Sequence, residues 1–409
     1  MKPVAKRRLL IVGGGMAAAY LLQELASYAH DLDITVISAE PDACYNRVML
    51  SGVLAGEQPE QALSLLPEAD GVTRVLPGTR VLKLDTRNRQ LVTDSGLRLP
   101  WDELVLAVGA TTALPDMPGL EAAGVAVFRS LADTRRLRAS APQIRRAVVV
   151  GGGLLGLEAA HGLNRLGCHT TVVHRQPWLM NRQLDPEGGR QLQALLVRRG
   201  LEFRVGSGLA EIELSRSRLA GARLVDGERL PCDLLVFATG IRPNTALATS
   251  AGLPVDRGVQ VDPWMATPVA SISALGECCQ LGDECFGLVA PIRAQAKVLA
   301  ARLSNRATAG FVSSACATRL KISGVDIFSM GELAGTAEDL LLHDPAAGIY
   351  RRLRLRDDRL VGAVLVGDQQ GGNWYSELIH NRSDISALRP GLIFGRAASD
   401  AAGGLASAA

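Results

Sequence analysis

The chain has no C-x-x-C pair among its cysteines (Cys44, Cys168, Cys232, Cys278, Cys279, Cys285 and Cys316), which argues against a zinc centre or a redox disulfide. It has almost no net charge, +3, and no nucleic-acid-reading motif, so nucleic acid is not an expected partner. Lysine is confined to Lys2, Lys6, Lys83, Lys297 and Lys321, so nearly all positive charge is arginine, a bias of composition. No long hydrophobic run is present either. The longest uncharged apolar stretch, Leu9–Leu22, carries three glycines and is shorter than the roughly 20 residues a membrane helix needs. Lys2, Lys6, Arg7 and Arg8 precede it as in a signal peptide, but no small-residue cleavage site ends it. The expectation is a cytoplasmic protein, away from the membrane, with free thiols. With 47% hydrophobic and 21% charged residues, the 409-residue chain has the composition of a globular protein of two or three domains.

What is present is a glycine pattern in a specific setting. Leu9–Val12 is a short apolar strand running into Gly13-Gly14-Gly15-Met16-Ala17-Ala18, a G-x-G-x-x-A turn that opens a helix. Gly13 permits the tight turn, Gly15 lets backbone amides approach a pyrophosphate, and Ala18 keeps helix and strand close. The helix N-terminus adds partial positive charge. Ile34–Ile37 forms the next strand, and Glu40 follows where a carboxylate accepts hydrogen bonds from an adenosine ribose.

The chain repeats this unit. Ala147–Val150 leads to Gly151-Gly152-Gly153-Leu154-Leu155-Gly156, a helix through Leu166 and a strand at Thr170–Val173. Two flanked copies mean two dinucleotide sites. The second copy lacks an acid at the ribose position and has His174-Arg175 instead, so its nucleotide differs from the first. Arg175 either pairs with a 2′-phosphate and selects NADPH or points to water; the choice stays open, with NADH favoured. Leu104–Gly109, containing Ala107 and Gly109, is a strand entering a glycine turn, and Leu234–Gly240 mirrors it. A further strand ends in Gly276-Glu277, and Pro291 starts a long helix through Leu303. Thr318–Gly367 alternates apolar and polar residues around Asp357-Asp358, a small sheet domain. Tyr350, Arg352, Arg354 and Arg356 share one strand face, either solvated or a docking surface for an acidic redox partner. Residues 396–409, rich in Ala, Gly and Ser, are expected to be disordered.

In this order the motifs resemble the two-dinucleotide flavoprotein reductases. The likeness is to the flavin-reductase portion of the assimilatory NAD(P)H nitrite reductase large subunit and of nitrate-reductase electron-transfer subunits. It is carried by Tyr45–Ser51, Leu179–Asp185, Phe286–Pro291, Thr318–Leu333, Asn373-Trp374-Tyr375 and Leu392–Gly395. The resemblance implies an α/β fold of two Rossmann-like dinucleotide-binding domains plus a small C-terminal α+β interface domain. FAD would occupy residues 1–112 with 237–308, NAD(P)H residues 113–236, and the interface domain residues 309–395. It implies Glu40 on the adenosine ribose and Glu277, where the class usually has Asp, near the FAD ribityl or pyrophosphate. Arg47 would lie near the flavin N5 with Glu158 as its partner; alternatively Arg47 pairs locally and Glu158 is a helix-surface acid. His174 matches the residue the family places there. Relatives that reduce peroxides or disulfides carry a cysteine after the first loop, whereas this chain has Leu50-Ser51-Gly52-Val53, and Cys44 is expected to be structural. The chain also stops before the cysteine-rich iron–sulfur and sirohaem parts of nitrite reductase. The implied activity is NAD(P)H oxidation with electrons passed to a separate protein, a nitrate or nitrite reductase subunit. The other readings are a rubredoxin or ferredoxin reductase serving an iron–sulfur carrier, and a flavin-binding redox sensor.

Overall fold

The computed structural model describes residues 6–66, 73–320, 322 and 324–406, with side chains described to residue 401. Lys2, Lys321 and the last three residues of the tail lie outside the described residues. The chain forms two compact units: residues to 50, 59–112 and 241–313 make one, and 51–58, 113–240 and 314 onwards make the other. The middle and C-terminal parts of the expected division thus share a unit. Among the described residues no helix is long and apolar enough to cross a membrane.

The first unit is built on a parallel sheet in the order Ile272–Ala274, Glu103–Leu106, Arg7–Val12, Leu32–Ile37, Thr73–Leu76. Leu9–Val12 is buried without alternation, as expected of a central parallel strand covered on both faces. Helices Met16–Leu25 and Val289–Leu303 pack together, both presenting alanines from buried faces. The unit also holds a small antiparallel sheet, Val81–Asp85, Gln90–Thr93 and Arg98–Pro100, beside two further small sheets.

The second unit repeats the plan. Its parallel sheet runs Glu202–Val205, His169–His174, Arg146–Val150, Leu234–Phe237, Val125–Val127, the same succession read from the other edge. Asp102 caps Arg8 at the start of the central strand of the first sheet, its Oδ2 accepting from the Arg8 backbone at 2.7 Å. Asp233 accepts from the Arg146 backbone at 3.0 Å at the same place in the second. The unit also holds a three-stranded antiparallel sheet, Leu209–Ser215, Arg218–Leu224 and Arg229–Leu230, and a five-stranded antiparallel sheet, Thr318–Arg319, Ile327–Gly331, Arg359–Val366, Ile349–Arg356, Glu338–Asp344, with helix Gly372–Asn381 packed on the latter.

Two expectations are corrected here. Tyr350, Arg352 and Arg354 are covered or partnered within the unit, while Arg356 stays exposed and pairs with Glu332 at 2.6 Å. Helix Pro186–Val197 packs against that sheet, and Tyr350 Oη donates to Asp185 Oδ2 at 2.6 Å. Arg354, 3% exposed, and Arg352 both bond Asp339, at 3.0 and 2.6 Å. The tail is not disordered throughout: Arg396–Ala406 is a helix, and Ser399 is buried with its hydroxyl donating to Gly395 O at 3.1 Å. Alanine's high helix propensity outweighs the glycines once the helix docks on Ser386–Phe394.

Candidate nucleotide sites

In the first unit the fingerprint turn is fixed by close approach. Gly13 has φ +112°, and a Cβ there would lie 2.2 Å from Ala107 O, so strand and turn meet only with glycine. Gly15 is the N-cap of Met16–Leu25 and offers no side-chain cap, and the space beside it is open. The free N–H groups of that first turn therefore face a place where an anion can sit. Ala18 is fully buried against the sheet.

Glu40 lies just past the Leu32–Ile37 strand. It accepts from Tyr45 Oη at 2.7 Å and forms an ion pair with Arg47, whose guanidinium carbon lies 4.8 Å from the Tyr45 ring centroid. Glu40 is thus one partner of Arg47. Gly109, φ +65°, lies beside Glu277, whose Oε2 is 3.6 Å from where its Cβ would be. The Gly276–Cys278 turn is held by Gln295, whose Oε1 accepts from Gly276 N at 2.9 Å. Gln295 is fully buried, yet its Nε2 has no hydrogen-bond partner. An orphaned donor beside a glycine turn and an uncapped helix N-terminus fits a site for a polar ligand.

The second unit reproduces the turn. Gly151 has φ +124° with Ala238 O 2.3 Å from a Cβ, and Gly153 is an uncapped N-cap facing open space. Gly156 is more confined than Ala18: a Cβ there would meet Gly151 O at 1.9 Å. Gly240, φ +101°, follows the Leu234–Phe237 strand and accepts from Ala113 N at 2.9 Å. Glu158 is 8% exposed in helix Leu154–Arg165, so it is not a solvated surface acid. Arg47 belongs to one unit and Glu158 to the other.

Register shows one residue that the sequence reading missed. Gly78 N donates to Glu40 O at 3.0 Å, and Gly206 N donates to Gln176 O at 2.9 Å. Cys44 N donates to Gly14 O at 2.6 Å, and Met180 N to Gly152 O at 2.8 Å. Gln176 therefore occupies the place of Glu40, while His174 occupies that of Ser38. Counting three residues past the last residue that each strand pairs with its central strand, Ile37 and Val173, would have found it. The place equivalent to Glu40 therefore carries a neutral amide, with exposed Arg175 next to it.

Burial pushes the Cys44 and Cys278 thiols up to about 11 and the Cys232 thiol up to about 12, with nearby acids adding to the last. These groups stay protonated and do not act as nucleophiles at neutral pH.

Two parallel-sheet folds in one chain, each with an uncapped glycine turn at a helix N-terminus, define an NAD(P)H-dependent FAD oxidoreductase of the two-dinucleotide class. The chain belongs to the pyridine nucleotide-disulphide oxidoreductases, whose family model matches residues 7–300; the rubredoxin NAD+ reductase C-terminal domain matches residues 317–383. It is 40% identical to the nitrite reductase [NAD(P)H] of Bacillus subtilis over 94% of this chain and 48% of that one. It is 34% identical to the assimilatory nitrate reductase electron transfer subunit of the same organism, over 95% of this chain and 51% of that one. The chain thus spans about half the length of these relatives. The crystal structure of the ferredoxin reductase for the CYP199A2 system from Rhodopseudomonas palustris matches with a TM-score of 0.80 at 27% identity, covering 88% of this chain and 91% of that one.

Proposed function

We propose that the chain takes hydride from NAD(P)H and passes electrons to a separate protein, a nitrate or nitrite reductase catalytic subunit in nitrate assimilation. The observation that carries this reading is the likeness of nearly the whole chain to half of a nitrite reductase and half of a nitrate-reductase electron-transfer subunit. Gly13, Gly15 and the first turn of Met16–Leu25 would receive the FAD pyrophosphate, and Glu40 its adenosine ribose. Arg47 and Tyr45, which hold Glu40, are assigned to that adenosine side rather than to N5. Ala107 and Gly109 would line the approach to the flavin, and Glu277 would orient the ribityl chain. Gly151, Gly153 and Gly156 would receive NAD(P)H, with Arg175 and Gln176 at its ribose and Gly240 at the edge of the pocket. Glu158, buried one turn inside the second helix, is assigned to positioning at the nicotinamide end. Bound FAD supplies a two-electron acceptor for hydride that can release electrons one at a time. The residues contribute orientation and exclusion of water, which is where proximity lowers the barrier.

A second reading, a reductase for rubredoxin or ferredoxin, is favoured by the C-terminal match and by the Rhodopseudomonas palustris structure. The test is anaerobic NADH- and NADPH-dependent reduction of purified nitrate or nitrite reductase subunit, rubredoxin and ferredoxin. Saturable reduction of the first supports the proposal. Saturation by rubredoxin or ferredoxin alone replaces it with the second reading.

A further inference from the structure

The His174 ring is turned inward onto the second fingerprint. Its Nδ1 accepts from the Gly152 backbone N–H at 3.1 Å, and its Nε2 lies 3.2 Å from Asn181 Oδ1. Because Nδ1 faces a fixed donor, it carries no proton, and Nε2–H donates to Asn181. The middle glycine of the fingerprint is thereby held on both sides, since its carbonyl also accepts from Met180 N at 2.8 Å. The fit is close: a Cβ on Gly152 would lie 2.7 Å from His174 Cγ and 2.8 Å from Leu179 Cδ2. The first fingerprint has no such device. Ser38 stands in the same place, and its hydroxyl bonds the Glu40 backbone at 3.0 and 3.2 Å instead.

We infer that His174 is a positioning residue for nicotinamide dinucleotide binding, and that it works only as the neutral ring. The inference rests on the reading that the second fingerprint binds NAD(P)H. A protonated ring would set an N–H at Nδ1 against the Gly152 N–H, two donors face to face. The turn would then lose the acceptor that keeps Gly151–Gly153 in place for the pyrophosphate. The groups around the ring are the Gly152 backbone, Asn181, Leu179 and the Trp178 backbone, all neutral, with Arg175 as the nearby charge. Burial lowers the ring's pKa below its ordinary value, and Arg175 lowers it further, against the raising effect of Asn181. Nucleotide affinity is therefore full above the ordinary histidine range and falls as pH drops through the lowered value.

The experiment measures NAD+ and NADP+ binding by calorimetry on the FAD-loaded protein from pH 7.5 to pH 5, together with 15N NMR of the His174 ring. NAD+ serves as the probe because it does not reduce the flavin. Wild-type affinity should fall by up to about tenfold per pH unit below the ring's pKa, and the ring should be the Nε2–H tautomer at pH 7.5. His174→Asn, whose Oδ1 can accept from Gly152 but cannot titrate, should keep its affinity across the range. His174→Phe should bind about tenfold more weakly at every pH, the cost of one lost hydrogen bond at a buried donor. A wild-type profile flat within twofold, the same fall in His174→Asn, or an Nδ1–H tautomer overturns the inference. Wild-type protein that binds neither nucleotide at pH 7.5 instead overturns the assignment of the second fold to NAD(P)H.

Discussion

The third position of the first fingerprint is Ala18, and that of the second is Gly156, where a methyl group would lie 1.9 Å from Gly151 O. The residue three past the shared strand register is a carboxylate in the first fold, Glu40, and an amide in the second, Gln176. At the end of that strand the equivalent residues are Ser38 in one and His174 in the other. One turn into the helix, Tyr20 of the first, with Arg293 4.5 Å from its ring centroid, is matched in the second by the buried carboxylate of Glu158. The backbone hydrogen bonds of the turns and the order of the parallel strands are shared, so these differences lie in side chains set on a common frame. On the proposed function, these four places are where the shared scaffold would distinguish its two nucleotides.

The sharpest way to break this comparison is to make the folds alike at the third position. Gly156→Ala should cost about 1–3 kcal/mol in local overpacking, read as a tenfold to hundredfold loss of NAD+ affinity with FAD content unchanged. The reciprocal Ala18→Gly should cost only about 1 kcal/mol of helix stability. Equal effects of the two on nucleotide binding would remove the asymmetry.

Next in size is Glu40→Ala, which takes away the ribose acid and leaves Arg47 and the Tyr45 hydroxyl without their shared partner. FAD retention measured by equilibrium dialysis should fall about tenfold, the scale of one charge-assisted hydrogen bond. Undiminished retention would detach Glu40 from the ribose.

Gln176→Glu should make the second fold resemble the first, raising the NADH over NADPH preference by up to about tenfold through repulsion of a 2′-phosphate. Arg175→Ala should weaken NADPH alone, several-fold, as loss of an exposed charge contact implies. Parallel changes for both nucleotides would place neither residue at the ribose.

The smallest effect concerns the capping acids, which the folds share. Three hydrogen bonds from Arg8, two from its guanidinium and one from its backbone, bring the Asp102 carboxyl down to about 2. A lowered folded-state value stabilises above the ordinary carboxylate range and is lost as pH falls through about 2. The Arg8–Asp102 pair is partly exposed, with side chains 46% and 36% accessible, so solvent screens it. Asp102→Asn should therefore cost under about 1 kcal/mol in urea unfolding at pH 7, and the difference from wild type should vanish toward pH 2.

Both fingerprints, their strands and the mirrored returns at Ala107 and Ala238 were legible in the sequence, because glycine spacing, apolar runs and turns are local signals. The position of Glu40 just past the second strand was legible for the same reason. The pairing of Arg47 with Glu40 was not, since several polar partners lay within reach and only side-chain direction selects among them. Gln176 was obscured by the bulkier His174-Arg175 before it, and strand register was needed to place it. The arginines on Ile349–Arg356 read as a surface because their partners, Asp185 and Asp339, sit on other elements. The C-terminal helix was hidden by a composition that also describes unstructured chain.

The central claim is that two glycine turns hold two different dinucleotides, so that hydride passes from one to the other. Mixing the FAD-loaded protein with NADH or NADPH in an anaerobic stopped-flow instrument tests this most directly. The account predicts one FAD per chain and rapid bleaching of its yellow absorbance, slowed in Gly156→Ala. Protein that stays colourless after incubation with FAD, or yellow protein that neither nucleotide bleaches, would contradict it.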